Sequence, residues 1–441
     1  MTSKSNIKSY DLDYIWHPFT QMKEYAEEEP LVIEDSDGVY LIDSDGKKYI
    51  DGVSSLWVNI HGHKVEKIDN AVKKQLNKNS HSTLLGITNP SAAILAKKLI
   101  DIAPKGLKKV FYSGDGASAV EVALKMAFHY WILRNKPEKQ KFICLKDGYH
   151  GDTLGAVSVG GIDIFHSTYK PLLFESLQIS SYDSSNQTLL ELEEILDKKS
   201  DEVAAIILEP YVQAAGGIKV ASPGYLKKIK ILCDKYNILL IADEVATAFG
   251  RTGEMFACNH DSVTPDILVL GKGLTSGYLP LSATITTQDI FDAFLGEADE
   301  LKTFFHGHSY SGNPLACATG IANLEIFEEE KTIFKIKKTV EILEDELKEF
   351  RGLSHVSEIR NKGLMAGIDL KKDPSKGISY KINERIGKKV CDLAKEEGVL
   401  IRPLGDTIVI MPPVSIKEKE LKKLTRSIYK CIKIVTEDEK E

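Results

Sequence analysis

Lys272 stands between Gly271 and Gly273, directly after the apolar run Ile267–Leu270, and Asp243-Glu244 follows a similar run, Ile238–Ala242. Each run is too short for a core helix and has the length of a strand buried on both faces. A lysine and a carboxylate at the carboxyl ends of two such strands sit where open α/β sheets bind their ligands. The amine can form a Schiff base with an aldehyde, and the carboxylate can pair with a protonated ring nitrogen. Pyridoxal 5'-phosphate calls on both groups. Taken singly, Asp243 reads as a helix cap and Lys272 as a side chain reaching outward at a strand end.

Other stretches add to that chemistry. Asp115-Gly116-Ala117-Ser118 lies between a strand-like run and a helical one, so the free N–H groups of Gly116 and Ala117 can receive a phosphate. A plain turn with Asp115 as cap is the alternative. Tyr149, in Tyr149-His150-Gly151, can stack on a flat heterocycle. Glu209-Pro210 and Gln213 end another strand, and Gln213 can donate to a phenolic oxygen. His306–Asn313 mixes turn formers with hydroxyls, and Ser309 can reach a phosphate. Arg402, after GVLI and before Pro403, can take a carboxylate with two parallel bonds or form an internal salt bridge.

The elements that must position these residues follow from periodicity. From Val110 to about Thr284, strand, turn and helix alternate, which predicts a mostly parallel sheet covered on both faces. Before it, LVIEDSDGVYLIDSDGKKYIDG alternates apolar and polar residues around Asp37-Gly38 and Asp45-Gly46, a hairpin pattern. Helices are expected over Val65–Asn79, Ser91–Ile102, Gly224–Tyr236, Ala316–Glu329, Lys335–Glu349 and Tyr380–Glu397. The expected division is an N-terminal segment over 1–62, a large α/β domain over 63–319, and a smaller α+β domain over 320–441 that shares its sheet with the N-terminal hairpin.

Composition limits the class of protein. With 43% hydrophobic and 27% charged residues and a net charge of −7, the chain reads as an ordinary globular one, without a basic nucleic-acid surface. No apolar run is long enough to span a bilayer. The opening MTSKSNIKSYDLDY lacks the apolar stretch of a secretion signal, and the six cysteines form neither a disulfide framework nor a zinc pattern. A cytoplasmic protein without a bound metal is expected.

Together these stretches carry a resemblance to the class III (ω-) aminotransferases, pyridoxal-phosphate enzymes of fold type I. The resemblance runs from about Trp16 to Pro413 and is densest at Asp243–Gly253 (DEVATAFGRTG) followed by Gly271-Lys272-Gly273. A second set of motifs is similar to the biotin-pathway branch of that family, which converts 8-amino-7-oxononanoate to 7,8-diaminononanoate. These are Trp16–Thr20 (WHPFT), Ser54–Trp57 (SSLW) with His61-Gly62, Gly148–Thr153 (GYHGDT) and Gly398–Pro403 (GVLIRP). Ornithine- or 4-aminobutyrate-type transamination and a glutamate-1-semialdehyde-type aminomutase are the alternatives within the scaffold.

The resemblance implies roles. Lys272 would hold the cofactor and move the proton, Asp243 would face the ring nitrogen, and Tyr149 and Val245 would sandwich the ring. Gly116 and Ala117 would hold the phosphate, with His308 and Ser309 contributed by the second subunit of a homodimer whose active sites lie at the interface. Trp57, Tyr149 and Phe19 would line the substrate channel, Gly307 would border it from the second subunit, and Arg402 would take the substrate carboxylate. Phe19 stands where familiar members have Tyr, Asp115 where Ser or Thr is usual, and Ala248 where Gly is usual. Gly307-His308-Ser309-Tyr310 replaces the Gly-Pro-Thr-Phe of members that use S-adenosylmethionine as amino donor and resembles the subset that uses lysine.

Overall fold

A computed structural model describes residues 4–182 and 187–437; residues 1–3 and 438–441 of the expected outer segments lie outside it. At its centre is a seven-stranded sheet in the spatial order 107–113, 282–287, 267–270, 239–243, 203–208, 141–145, 177–179. The strands Val203–Leu208, Leu239–Asp243 and Ile267–Leu270 are buried at every position, because helices cover both faces. Their pairings are parallel, and only Ser282–Thr287 runs antiparallel to both neighbours. The fold is therefore the expected α/β type with a mostly parallel sheet.

This topology gathers the chemistry at one edge. Asp243 pairs with Val269, and Ala242 with Leu208. Adjacent parallel strands end together, so Lys272, Asp243 and Glu209 emerge side by side. Leu107–Ser113 runs in the same direction and leads into the helix Gly116–Leu133 at that edge.

Two smaller four-stranded sheets complete the fold, beside a two-stranded pairing of 212–213 with 219–220. The hairpin strands Ile33–Asp37, Tyr40–Asp43 and Lys48–Asp51 pair antiparallel, and Val399–Leu400 joins Lys48–Asp51 in parallel. Gly38 (φ 56°) and Gly46 (φ 80°) make the tight turns. The other sheet has the order 356–362, 365–370, 407–410, 403–404, all antiparallel. The helix Glu418–Glu437 buries Leu421, Leu424 and Ile428.

Several helix limits differ from the sequence reading. The helix expected over 380–397 spans Ile386–Glu396, because Arg385 takes a left-handed φ of 49° and Glu384 turns back to accept from the Lys381 N–H. The helix expected from Lys335 begins at Thr332, after Lys331 with φ 52°. Lys4–Tyr14, for which the sequence reading offers no element, is helical. No helix among the described residues is long and apolar enough to cross a membrane. All six cysteines are free and buried, and no cluster of metal-ligating side chains occurs among the described residues.

Candidate active site

A cavity of about 660 Å³ opens at the carboxyl edge of the central sheet. Gly116, Ala117, Tyr149, Asp243, Val245 and Lys272 all line it. Where Gly116 and Ala117 line it, Asp115 caps the helix Gly116–Leu133: Oδ1 accepts from the Ser118 N–H at 2.9 Å and Oδ2 from the Ser118 hydroxyl at 2.9 Å. The carboxylate is thus committed to its own helix. The N–H groups of Gly116 and Ala117 have no partner among the described residues and lie on the cavity wall. A Cβ at Gly116 would stand 2.7 Å from Val245 Cγ1, so only glycine lets Val245 close against this turn.

The middle of the cavity is acidic and buried. Asp243 Oδ2 lies 2.7 Å from His150 Nδ1, and Oδ1 accepts from the Val245 N–H at 3.0 Å. His150 is 4% exposed and its Nε2 has no partner among the described residues. The Tyr149 hydroxyl donates to Asp152 at 2.6 Å, and its backbone N–H donates to Glu209 Oε1 at 3.1 Å. Tyr149 is thereby held at both ends, with its phenol pushed well above the ordinary range by burial and by Asp152.

Lys272 has φ 40° and lies partly open to the cavity, its Nζ 4.6 Å from the centroid of the Trp57 ring. Burial lowers its amine from 10.5 to about 8, against the opposing pull of Asp243 and Glu209. An amine in that range is a usable base near neutral pH. Glu209 is 4% exposed and burial raises its carboxyl to about 7.

Gln213 corrects the sequence reading. Expected to donate to a cofactor oxygen, it is fully buried away from the cavity; its Nε2 donates to the Lys146 carbonyl at 2.8 Å, and its Oε1 accepts from the Tyr182 N–H at 3.2 Å. Both ends of the amide are used within the fold. Glu209, four residues earlier, faces the cavity instead. The signal was present: Glu209 follows VAAIIL as Asp243 follows ILLIA.

A smaller chamber of about 130 Å³ continues from Lys272 and is lined by Phe19, Trp57, Tyr149, Phe165 and Arg402. The Arg402 guanidinium carbon lies 5.9 Å from the Phe19 ring centroid, and no carboxylate pairs with this exposed side chain among the described residues. Phe165 was not singled out in the sequence. It meets Phe19 edge-on at 5.4 Å, and nothing in the local GGIDIFHS pattern marks it. Gly307, His308 and Ser309 line neither cavity of their own chain. The His308 N–H donates to Ser311 at 3.2 Å, and its ring meets His306 edge-on.

Residues 22–432 match the family model described as Aminotransferase class-III. The chain is a class III aminotransferase. It is 50% identical over 440 residues to the adenosylmethionine-8-amino-7-oxononanoate aminotransferase of Aquifex aeolicus, covering 97% of each. It is 48% identical over 443 residues to the enzyme of that name from Geobacter sulfurreducens, covering 98% of each. Among solved structures, the enzyme of that name from Methanocaldococcus jannaschii superposes with a TM-score of 0.96 at 46% identity, covering 98% of this chain and 99% of that one.

Class III aminotransferases use pyridoxal phosphate, which supplies an aldehyde carbon for amines and a ring that withdraws electrons from the adjoining bonds. The cavity of this aminotransferase fits that group. It offers two unpaired helix-terminal N–H groups for the phosphate, a buried carboxylate for the ring nitrogen, an aromatic and a branched side chain to flank the ring, and a lysine with a lowered pKa. His150 orients the Asp243 carboxylate, and Glu209 orients Tyr149 through its backbone.

The signature residues between Asp243 and Gly253 divide their work. Glu244 is fully buried and accepts from the N–H groups of Ala257 (2.6 Å) and Cys258 (2.8 Å), which folds the following loop. Arg251 is 1% exposed and donates to the carbonyls of Pro412 and Asn59, each at 2.6 Å. Burial lowers its guanidinium to about 9. These two side chains build the frame rather than line the cavity.

Proposed function

We propose that this aminotransferase aminates 8-amino-7-oxononanoate to 7,8-diaminononanoate in biotin biosynthesis, with S-adenosylmethionine or lysine as amino donor. The observation that carries the reading is the chamber beside Lys272: apolar walls of Phe19, Trp57 and Phe165 end at the unpaired guanidinium of Arg402. That shape suits an acyl chain with a ketone near the amine and a carboxylate at its far end. The names of the relatives point to the same substrate.

In this reading Lys272 carries the cofactor and shuttles the proton, and its lowered pKa lets it release and regain that proton near neutrality. Asp243 keeps the ring nitrogen protonated. Tyr149 and Val245 flank the ring, Gly116 and Ala117 hold the phosphate, and Arg402 fixes the acceptor's carboxylate. The protein works as a cytoplasmic homodimer in which Gly307, His308 and Ser309 complete the neighbouring subunit's site; their position outside both cavities of their own chain supports this. A large domain over 63–319 bears the cofactor, and 1–62 with 320–441 forms the smaller one.

Absorbance of the purified protein tests the proposal. Adding S-adenosylmethionine or L-lysine separately is expected to convert the cofactor to its amine form with one of them, and adding 8-amino-7-oxononanoate to reverse it. Conversion only by ornithine or 4-aminobutyrate, with no response to the ketone, would overturn the substrate assignment. The donor that works decides whether His308-Ser309-Tyr310 determines donor choice.

A further inference from the structure

Trp57 reaches Lys272 from an unusual piece of backbone. Ser54, Ser55, Leu56 and Trp57 all have positive φ, at 52°, 48°, 69° and 70°, so four successive L-residues form one left-handed helical turn. The Trp57 N–H donates to the Val53 carbonyl at 2.7 Å and the Val58 N–H to Ser54 at 3.0 Å, which closes the turn. Left-handed backbone is disfavoured at every non-glycine residue, and a run of four persists only where surrounding contacts impose it. None of the four is glycine, asparagine or aspartate, the residues that tolerate this region best.

The imposing contacts converge on Asp51, at the end of strand Lys48–Asp51 and 1% exposed. Its Oδ1 accepts from the Ser55 N–H at 2.8 Å and its Oδ2 from the Ser55 hydroxyl at 2.7 Å. His63 Nε2 approaches Oδ2 at 3.1 Å, while His63 Nδ1 lies 3.2 Å from Asn59 Nδ2. The Asn59 amide nitrogen has only hydrogens to offer, so His63 Nδ1 accepts and Nε2–H donates to Asp51. Asn59 Oδ1 in turn accepts from the Gly62 N–H at 2.7 Å, and the Ser54 hydroxyl donates to the Met411 carbonyl at 2.7 Å.

We propose that Asp51, backed by His63, is a positioning residue that holds the left-handed turn 54–57 and so places the Trp57 indole as a wall of the acceptor site beside Lys272. The assignment of that chamber to the acceptor ketone rests on the proposed function; the hold of Asp51 on the turn does not. Asp51 touches neither cavity, so its loss acts through the turn it holds, whose Leu56 and Trp57 both line the smaller chamber.

The test uses Asp51→Ala, Asp51→Asn, Leu56→Asn and the double variant Asp51→Ala/Leu56→Asn. Asn at 56 favours the left-handed region without the freedom of glycine. With the holoenzyme, Asp51→Ala is expected to raise KM for the acceptor ketone about 10-fold or more with kcat within about 3-fold, the mark of lost ground-state binding. Asp51→Asn, which keeps one acceptor oxygen, is expected to fall between. In the double variant KM should return toward that of Leu56→Asn alone. Fluorine NMR of 5-fluorotryptophan-labelled, cofactor-free protein gives a second readout: the Trp57 signal, assigned with Trp57→Phe, is expected to shift in Asp51→Ala while those of Trp16 and Trp131 stay.

An unmoved Trp57 signal, or a loss in kcat with KM unchanged, would overturn the positioning role, as would a double variant whose KM exceeds that of Leu56→Asn by the same factor as Asp51→Ala exceeds wild type. If Asp51→Ala fails to fold, the same comparisons with Asp51→Asn decide. Wild-type protein inert toward the ketone would instead count against the proposed function, and the fluorine signal would still judge Asp51.

Discussion

Replacing Lys272 by Met in the cofactor-free protein is expected to stabilise the fold at neutral pH and to remove the share of the pH dependence that the lysine contributes. Burial lowers the amine from 10.5 to about 8. At about 1.4 kcal/mol per pH unit, that gap corresponds to roughly 3 kcal/mol. Lys272 keeps some exposure to the cavity, so the figure is an upper bound.

The sign follows from proton counting. Between about 8 and 10.5 the unfolded chain binds the proton and the folded one does not, so wild-type stability rises with pH across that window. Below about 8 both states are protonated, and the full cost of the buried charge remains. Met fills a similar volume and carries no charge. Urea unfolding of cofactor-free wild type and Lys272→Met, from pH 7 to pH 10, reads the difference directly. The variant should be more stable at pH 7 by about 1–3 kcal/mol, with the gap closing toward pH 10. A gap that stays constant with pH, or a less stable variant at pH 7, would refute the idea that burial sets this amine's proton affinity.

Other residues yield their own expectations. For Glu209, whose carboxyl burial raises from 4.5 to about 7, the folded state holds the proton more tightly; wild type should lose stability relative to Glu209→Gln as pH rises through that window, measured by unfolding at pH 4.5 and 7.5. Gly116→Ala puts a Cβ 2.7 Å from Val245 Cγ1 and should weaken cofactor retention about 10-fold or more, seen as faster loss of visible absorbance on dialysis. Arg402→Ala removes the charged end of the small chamber. If a substrate carboxylate binds there, KM for the ketone should rise about 10-fold to 100-fold, in line with roughly 1.5–3 kcal/mol for a hydrogen bond to a charged group.

Much of the central sheet was legible because burial on both faces leaves a continuous apolar run, as in VAAIIL, ILLIA and ILVL. The charged residues ending those runs could be read as a site because parallel strands deliver their carboxyl ends to one edge. Gln213 misled for a local reason. Glu209 and Gln213, four residues apart in sequence, both looked polar and available, and only the partners Lys146 and Tyr182 show that the Gln213 amide is engaged elsewhere. Asp115, where Ser or Thr is usual in the family, is likewise explained by its partners: both carboxylate oxygens bond Ser118. Phe165 joined the chamber by packing against Phe19 and Tyr149, residues about 146 and 16 positions away in sequence, a contact that periodicity does not encode.

By itself the sequence determined the α/β class, the strand-end placement of Asp243 and Lys272, and the glycine-bearing turn at 115–118. These depend on local patterns: run length, period and the residues that follow a strand. Tertiary structure decided which of two polar residues faces the cavity, how far the Lys272 amine is lowered, and how Trp57 comes to lie beside it. A pKa depends on what surrounds a group in space. The left-handed turn at Ser54–Trp57 runs against the preference of its own residues and is held by Asp51, His63 and the Met411 carbonyl, which come together only in the folded chain.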